Sequence, residues 1–375
     1  MPSRRHVLAL LASAPFVTSC GANGPDPAAG WRDPGAGQTD PRRFALAHAI
    51  LAPNPHNTQP WQVAFDGDDG MTLYCDLERR LPFTDPNDRQ ITIGCGAFLE
   101  LYRIAASHLG LASRITLFPE GAPTSRLDER PLAHVAFMPQ ANAAPDPLFA
   151  HIATRRTNRN VYDLERIPED THLLRATAQV AGFMGGVRWT IAPERVTTLR
   201  DLVWRAFERE IQTEGAQRET YRWLRFGRDQ VAAHRDGLAI EGAMIGPLKA
   251  IGMFDEADMI NPDSFANQTA ATDWREKAES ATGFMWMTTP DDRPDTRLVT
   301  GMAYARLNLA MTALGLAIHP WSQALQEYEE MADLYAEAKR TLDVDDQVVQ
   351  MLVRVGYAEP VAPSARRDAA DFVRA

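Results

Sequence analysis

The 375-residue chain has only three cysteines, at positions 20, 75 and 95, and no CxxC pair. That excludes a disulfide scaffold, and no His- or Cys-rich spacing points to a metal. No G-x-S-x-G elbow is present, so nothing supports a Ser–His–Asp hydrolase. Basic residues fall short of acidic ones, 39 against 49, for a formal charge of −10. Such a balance lacks the positive face that a nucleic-acid backbone requires, which argues against DNA or RNA as a partner. Long apolar runs are missing too. The run at the N-terminus, Val7 to Val17, is far shorter than the roughly 20 residues needed to cross a bilayer.

With 45% hydrophobic and 23% charged residues, the chain reads as globular and long enough for two ordinary domains or one large one. Residues 1–19 read as a processing signal. Ser3-Arg4-Arg5-x-Val7-Leu8 resembles a twin-arginine export signal, and Val17-Thr18-Ser19-Cys20 resembles a lipoprotein box whose cysteine is acylated. A plain secretory signal with a chance cysteine is the alternative. The expectation is export to the periplasm or cell envelope, with a lipid anchor at Cys20 as the sole membrane contact. The twin-arginine route resembles one used by proteins that fold, often around a cofactor, before crossing. Losing residues 1–19 removes two arginines and no acids, leaving about −12. Residues 20–41 then read as a flexible tether, since residues 21–41 hold five glycines and four prolines. Cys75, in the strand-like "MTLYCDL", and Cys95, read at a helix start, are expected to stay separate buried thiols.

One pattern occurs twice. "GAFLELYRIAASHLGLA" (96–112) and "GMAYARLNLAMTALGLA" (301–317) align without a gap at an offset of 205 residues. Phe98, Leu101, Tyr102, Ala105 and Leu109 recur at helical spacing, and Gly110 and Gly315 would close the two helices. A glycine-ended helix recurs by chance. The match of "TDPNDR" to "TTPDDR" upstream favours duplication. Two related halves, 42–150 and 151–375, then pack together as a homodimer would. Strand-like runs ("WQVAFDG", "MTLYCDL", "SRITLFPEG", "LAHVAFMP", "VRWTIAP" and "VVQMLVRVGYAEP") with helices between them give an α+β class. Residues 205–290 have no counterpart in the first half and read as a mostly helical insertion.

The stretch "RRTNR" (155–159) places Arg155 and Arg159 at i and i+4, on one face if the stretch is helical. Two guanidiniums without a nearby acid repel unless an anion lies between them, and phosphate suits arginine's fork. A solvated basic face paired with Asp163 or Glu165 fits the same residues. A second pair, Arg366 and Arg367, follows a proline-rich turn.

Together "APNPHNTQPW" (52–61), "RRTNR", a "GLA" helix end running into "HPWSQ" (319–323), and the C-terminal "RR" resemble the FMN-dependent nitroreductase family over most of residues 42–372. The duplication and the insertion with "YRWLRFG" look most like its Acg branch. The resemblance implies FMN as cofactor and the nitroreductase-like fold, with the chain's two pseudo-symmetric halves mimicking the family homodimer. Here the Asn motif lies in one half and the basic motif in the other. One complete FMN site per chain is therefore expected, with the chain acting as a monomeric pseudo-dimer.

By the same resemblance, Arg155, Thr157, Arg159 and Arg366 would hold the phosphate, and Arg156 would face the ring or ribityl chain. Asn54, Pro55 and Asn57 would contact the flavin from the other half. Pro320, Ser322 and Gln323 would lie along the isoalloxazine, where some family members carry an acid followed by glycine. Gln59, Pro60 and Trp61 read as structural anchors, and His56 as a turn residue, since flavin hydride chemistry needs no protein base. The implied activity is hydride transfer through FMN from a donor such as NAD(P)H to an electron-poor nitroaromatic or quinone. The alternative is a protein that only holds flavin, with the 205–290 insertion as its lid.

Overall fold

The computed structural model describes residues 26–374 except 140–143, 184, 243, 251 and 345. The expected signal, Cys20 and residues 21–25 of the expected tether lie outside the described residues.

The first half runs α1 (Pro41–Ala49), β1 (Trp61–Asp66), β2 (Gly70–Cys75), α2 (Arg89–His108), β3 (Leu111–Leu117) and β4 (Ala133–Pro139). Asp40 starts α1 by accepting from the Arg42 N–H, and Pro41 sits where no N–H is needed. The second half opens with α3 (Asp170–Ala178) and β5 (Gly186–Thr190). Then come α4 (Pro193–Gln212), α5 (Glu214–Trp223), β6 (Leu224–Phe226), α6 (Gly227–His234), β7 (Leu238–Ile240), α7 (Ile245–Ala250), α8 (Glu256–Ile260) and α9 (Phe265–Glu279). The chain ends with β8 (Gly283–Thr289), α10 (Pro294–Ala313), β9 (Ala317–Pro320), α11 (Ala332–Thr341) and β10 (Val348–Gly356).

The topology is duplicated. The first sheet has the order β1-β2-β4-β3 and the second β5-β8-β10-β9, with all pairings antiparallel. In each half the long helix follows the second strand and ends in a glycine at positive φ, Gly110 at 73° and Gly315 at 69°. These helices, α2 and α10, pack against each other at the centre. Their apolar faces and the inner faces of both sheets form one continuous core. A second core gathers α4, β8, β10 and α11 around Trp286 and Trp321. The fold is α+β with two pseudo-symmetric halves.

Several expectations are corrected. Residues 283–289 lie inside the range read as insertion, yet they form β8, next to β10 in the second sheet. All seven are buried, so no polar–apolar alternation marked them as a strand. The segment between sheet strands is 191–282, and α4 and α9 within it pack on the second core. Residues 26–40 are not a loose tether: Trp31 is only 5% exposed. Cys95 lies inside α2, six residues after Arg89, and not at the helix start, and both Cys75 and Cys95 are buried and unbridged. Among the described residues no helix is long and apolar enough to cross a membrane.

Candidate functional site

The stretch 51–60 is shaped by three residues at positive φ, His56 (48°), Asn57 (53°) and Gln59 (51°). Each is a conformation that side chains resist, so surrounding bonds must hold it. Asn54 donates to Ala52 O (3.1 Å) and accepts from Gln59 N (2.8 Å), bracketing the turn. Gln59 donates to Arg235 O and accepts from Arg367 N, which makes it a structural anchor. Trp61 is buried against Phe98 and Phe372.

Asn57 departs from its expected role. Its amide donates to Gly237 O (3.0 Å) and Ala365 O (3.1 Å), and its oxygen accepts from Arg366 (2.6 Å). The amide thus ties the turn to the inserted segment and the C-terminal tail, with no donor left for a ligand. Only Asn54, Pro55 and His56 are partly exposed along 51–60, so they are the surface this stretch presents.

Residues 155–159 form neither helix nor strand. Asn158 pins the stretch, its N–H donating to Ile318 O and its amide to Glu359 O. The two outer arginines differ in environment, Arg155 buried and Arg159 exposed. Arg155 is 2% exposed and donates once, from Nη2 to Leu51 O at 3.0 Å. Its Nε and Nη1 are out of solvent's reach and have no partner among the described residues. Burial lowers its pKa to about 10. Arg159 is exposed, yet protein crowds it enough to lower its pKa as well.

Arg366 is the second correction. Its donors go to Ile50 O (2.8 Å), Asn57 Oδ1, Ser364 Oγ (2.7 Å) and Ala52 O (3.1 Å). As folded it holds the end of α1 and the Asn57 turn, and it offers no free N–H to a phosphate. Arg156 is likewise turned to backbone, donating to Ala153 O and Arg155 O.

Around Arg159 lie His56, His319 and Tyr304. Burial, then the Arg159 charge, depresses His56 to about 4, and the same causes together with Arg354 push His319 well down. Burial raises Tyr304 to about 12, with the Arg155 and Arg159 charges acting against it. Both histidines are therefore neutral at pH 7, and Arg159 supplies the cleft's charge. Pro320, Ser322 and Gln323 are partly exposed, as a ligand-facing strip would be. Ser322 bonds Gln90 (3.3 Å), and Gln323 and Gln326 donate to the buried Glu210 carboxylate. Burial raises the Glu210 pKa, and those two amides offset it.

The inserted segment closes on this region. Glu219 of α5 accepts from Phe83 N, Thr84 N and Thr84 Oγ, and Thr220 lies 3.4 Å from His56 Nε2. Gly237 exchanges hydrogen bonds with Asn57. Sequence reasoning missed Trp31, Tyr304, Glu210 and Glu219. Of these only Trp31 carried a signal, as the sole aromatic in a glycine- and proline-rich stretch.

No family model matches the chain. A Mycobacterium tuberculosis protein named "Putative NAD(P)H nitroreductase Rv3131" is 28% identical over 348 residues, covering 88% of this chain and 90% of that one. Another from the same organism, "Putative NAD(P)H nitroreductase acg", is 36% identical over 81 residues, 22% of this chain and 24% of that one. Among solved structures, the FMN-dependent nitroreductase NfnB from Mycobacterium smegmatis in complex with NADPH is 18% identical. It covers 59% of this chain and 94% of that one, with a TM-score of 0.36. The class to which the chain is similar is the FMN-dependent nitroreductase family. Within that family, the branch it resembles is the Acg-like one.

Proposed function

We propose that the cleft between the Asn54–His56 turn, Arg155–Arg159 and Pro320–Gln323 binds FMN, one per chain, in a monomeric pseudo-dimer. The observation that carries this is a pair of arginines without counter-ions. Arg155 is buried with two unmatched donors, and Arg159 faces the cleft with no ion pair among the described residues. A near-dianionic phosphate ester supplies the missing charge and acceptors. Thr157 stands between the two arginines as a further donor. Arg366 and Asn57 act indirectly, by holding the turn. FMN, when bound, supplies two-electron hydride chemistry between a reduced donor such as NAD(P)H and an electron-poor nitroaromatic or quinone. Protein carrying Arg155→Ala with Arg159→Ala should emerge from gel filtration without flavin absorbance. FMN retained at wild-type occupancy would overturn the assignment.

The inserted segment favours a second reading, in which the protein holds flavin without turnover. Its bonds to residues 57, 59, 83 and 84 support reading it as a cover over one side of the proposed cleft. Anaerobic addition of NADPH separates the readings: bleaching of the flavin supports the reductase, and an unchanged spectrum supports holding. Deleting 205–290 is unsuitable as a companion test, because it removes strand β8.

The signal and Cys20 support export by the twin-arginine route and lipid anchoring, which would place the protein in the cell envelope. NAD(P)H is scarce there, which favours holding or another donor. Cys20→Ala should shift the protein from membrane to soluble fractions. An unchanged distribution would remove the lipid from the proposal.

A further inference from the structure

Trp31 lies where the arginines converge. Its ring centroid is 4.4 Å from the Arg156 guanidinium carbon, 5.0 Å from that of Arg366 and 5.5 Å from that of Arg155. Its indole N–H donates to Ser364 O at 2.7 Å, and Pro27 O accepts from Arg366 N at 2.9 Å. Residues 26–40 thus form a strap docked by one end on the C-terminal tail. Further along, Gly35, at φ 80°, passes so close to Phe44 that a Cβ there would lie 2.7 Å from its ring.

Three guanidiniums in one partly buried place repel one another; burial first, then the Arg155 and Arg156 charges, lowers the pKa of Arg366. The face of an indole attracts a cation, but more weakly than an anion does. The two idle Arg155 donors are sealed from solvent in this arrangement. An anion that satisfies them has to reach a place the docked strap closes off. The strap itself forms no sheet or long helix with the body, its one regular piece being the short turn Ala29–Trp31. Lifting it withdraws Trp31 and Ala28 from the main core but breaks no strand pairing.

We propose that residues 26–40 are a gate over the phosphate end of the cleft, with Trp31 as its latch, so that a phosphate monoester enters and leaves only when the strap lifts. The ligand class rests on the FMN reading above. Trp31 sets the rate of exchange and is not a catalytic residue.

The test uses the mature full-length chain with Trp31→Ala and Trp31→Phe, each checked for native circular dichroism. Stopped-flow flavin fluorescence gives the FMN association and dissociation rates. Both should rise about tenfold or more in Trp31→Ala and stay near wild type in Trp31→Phe, which keeps an aromatic face. Riboflavin, lacking the phosphate, should exchange at the same rate in all three proteins. Equal FMN rates in wild type and a folded Trp31→Ala overturn the gate. So does a riboflavin rate that rises as much as that of FMN, since the strap would then screen the whole cleft.

A second readout is independent of flavin. Inorganic phosphate should slow backbone amide exchange at 155–159 of the wild-type chain and, by relieving the repulsion under the docked strap, across residues 28–33 as well. If the wild-type chain takes up no FMN, the cofactor reading fails and this exchange decides alone. Slower strap exchange with phosphate supports the gate, and unchanged or faster strap exchange overturns it.

Discussion

Gly96 and Gly301 face each other across the packed central helices, and each is hemmed in by the other's helix in the same way. A Cβ on Gly96 would strike the carbonyl of Leu298, and a Cβ on Gly301 would strike that of Ile93. Ile93 and Leu298 are themselves related by the 205-residue offset that relates the glycines. The contact is therefore self-complementary, as at a twofold interface between identical subunits, but here one chain makes both sides. That axis brings the Asn54–His56 turn of one half to the arginines of the other.

Gly96→Ala and Gly301→Ala should each destabilise the protein by about 1–3 kcal/mol, the usual cost of overpacking a tight core contact. Because the contact is reciprocal, the two losses should be similar, and the double variant should fall short of their sum. Urea unfolding midpoints measure this. An unchanged midpoint for either variant would mean that the helices are not in backbone contact there.

Arg159 and Arg366 should separate binding from stability. Arg159→Ala removes an unpaired cation from the cleft, so FMN affinity should fall about tenfold to a hundredfold, the effect of losing one charge-assisted bond. Its unfolding midpoint should hold or rise. Arg366→Ala leaves Asn57 Oδ1 and the Ile50 carbonyl without their donor, and Ala52 O with Asn54 alone. It should cost about 2–4 kcal/mol of stability. Calorimetry of the apo-proteins with FMN titration checks both. The reverse pattern, stability lost at Arg159 and affinity alone lost at Arg366, would contradict the geometry.

The two halves were legible because the repeated helices carry both apolar periodicity and a closing glycine. Strand β8 was not, since "GFMWMTT" is buried throughout and reads equally as helix. The i, i+4 spacing of the arginine stretch would share a face only on a helix, and residues 155–159 form none. What pins the stretch is Asn158, whose partners at Ile318 and Glu359 are far off in sequence. The same limit hid the roles of Asn57 and Trp31. Their partners sit at Gly237 and Ala365, and at Ser364 and Arg366, and no local pattern announces such pairings.

His56 should make stability depend on pH between about 4 and about 6.5. Its folded pKa, about 4, lies below the ordinary 6.5 because burial and then Arg159 oppose its charge. The unfolded chain therefore binds the proton first as pH falls. The contribution is complete above 6.5, shrinks through the window and is gone below 4. The loss should be about 1–3 kcal/mol, allowing for the ring's partial exposure. His56→Asn keeps a residue that tolerates positive φ and removes the titration. Subtracting its pH–stability curve from that of wild type isolates the effect, and parallel curves would show that His56 titrates normally.

Glu219 should control how firmly the inserted segment closes. One carboxylate serves three donors on residues 83 and 84, at 2.9, 2.8 and 2.6 Å. In Glu219→Gln the side-chain NH2 replaces one acceptor and sets a donor against a backbone N–H, which should cost about 1–3 kcal/mol locally. The loss should appear as faster amide exchange at residues 83–84 and across α5, while α2 and α10 stay protected. If the insertion covers the cleft, the same variant should let NADPH bleach bound flavin faster than in wild type. Unchanged exchange at residues 83–84 would show that the carboxylate does not hold the cover. Faster exchange without faster bleaching would show that the cover is not what limits access to the flavin.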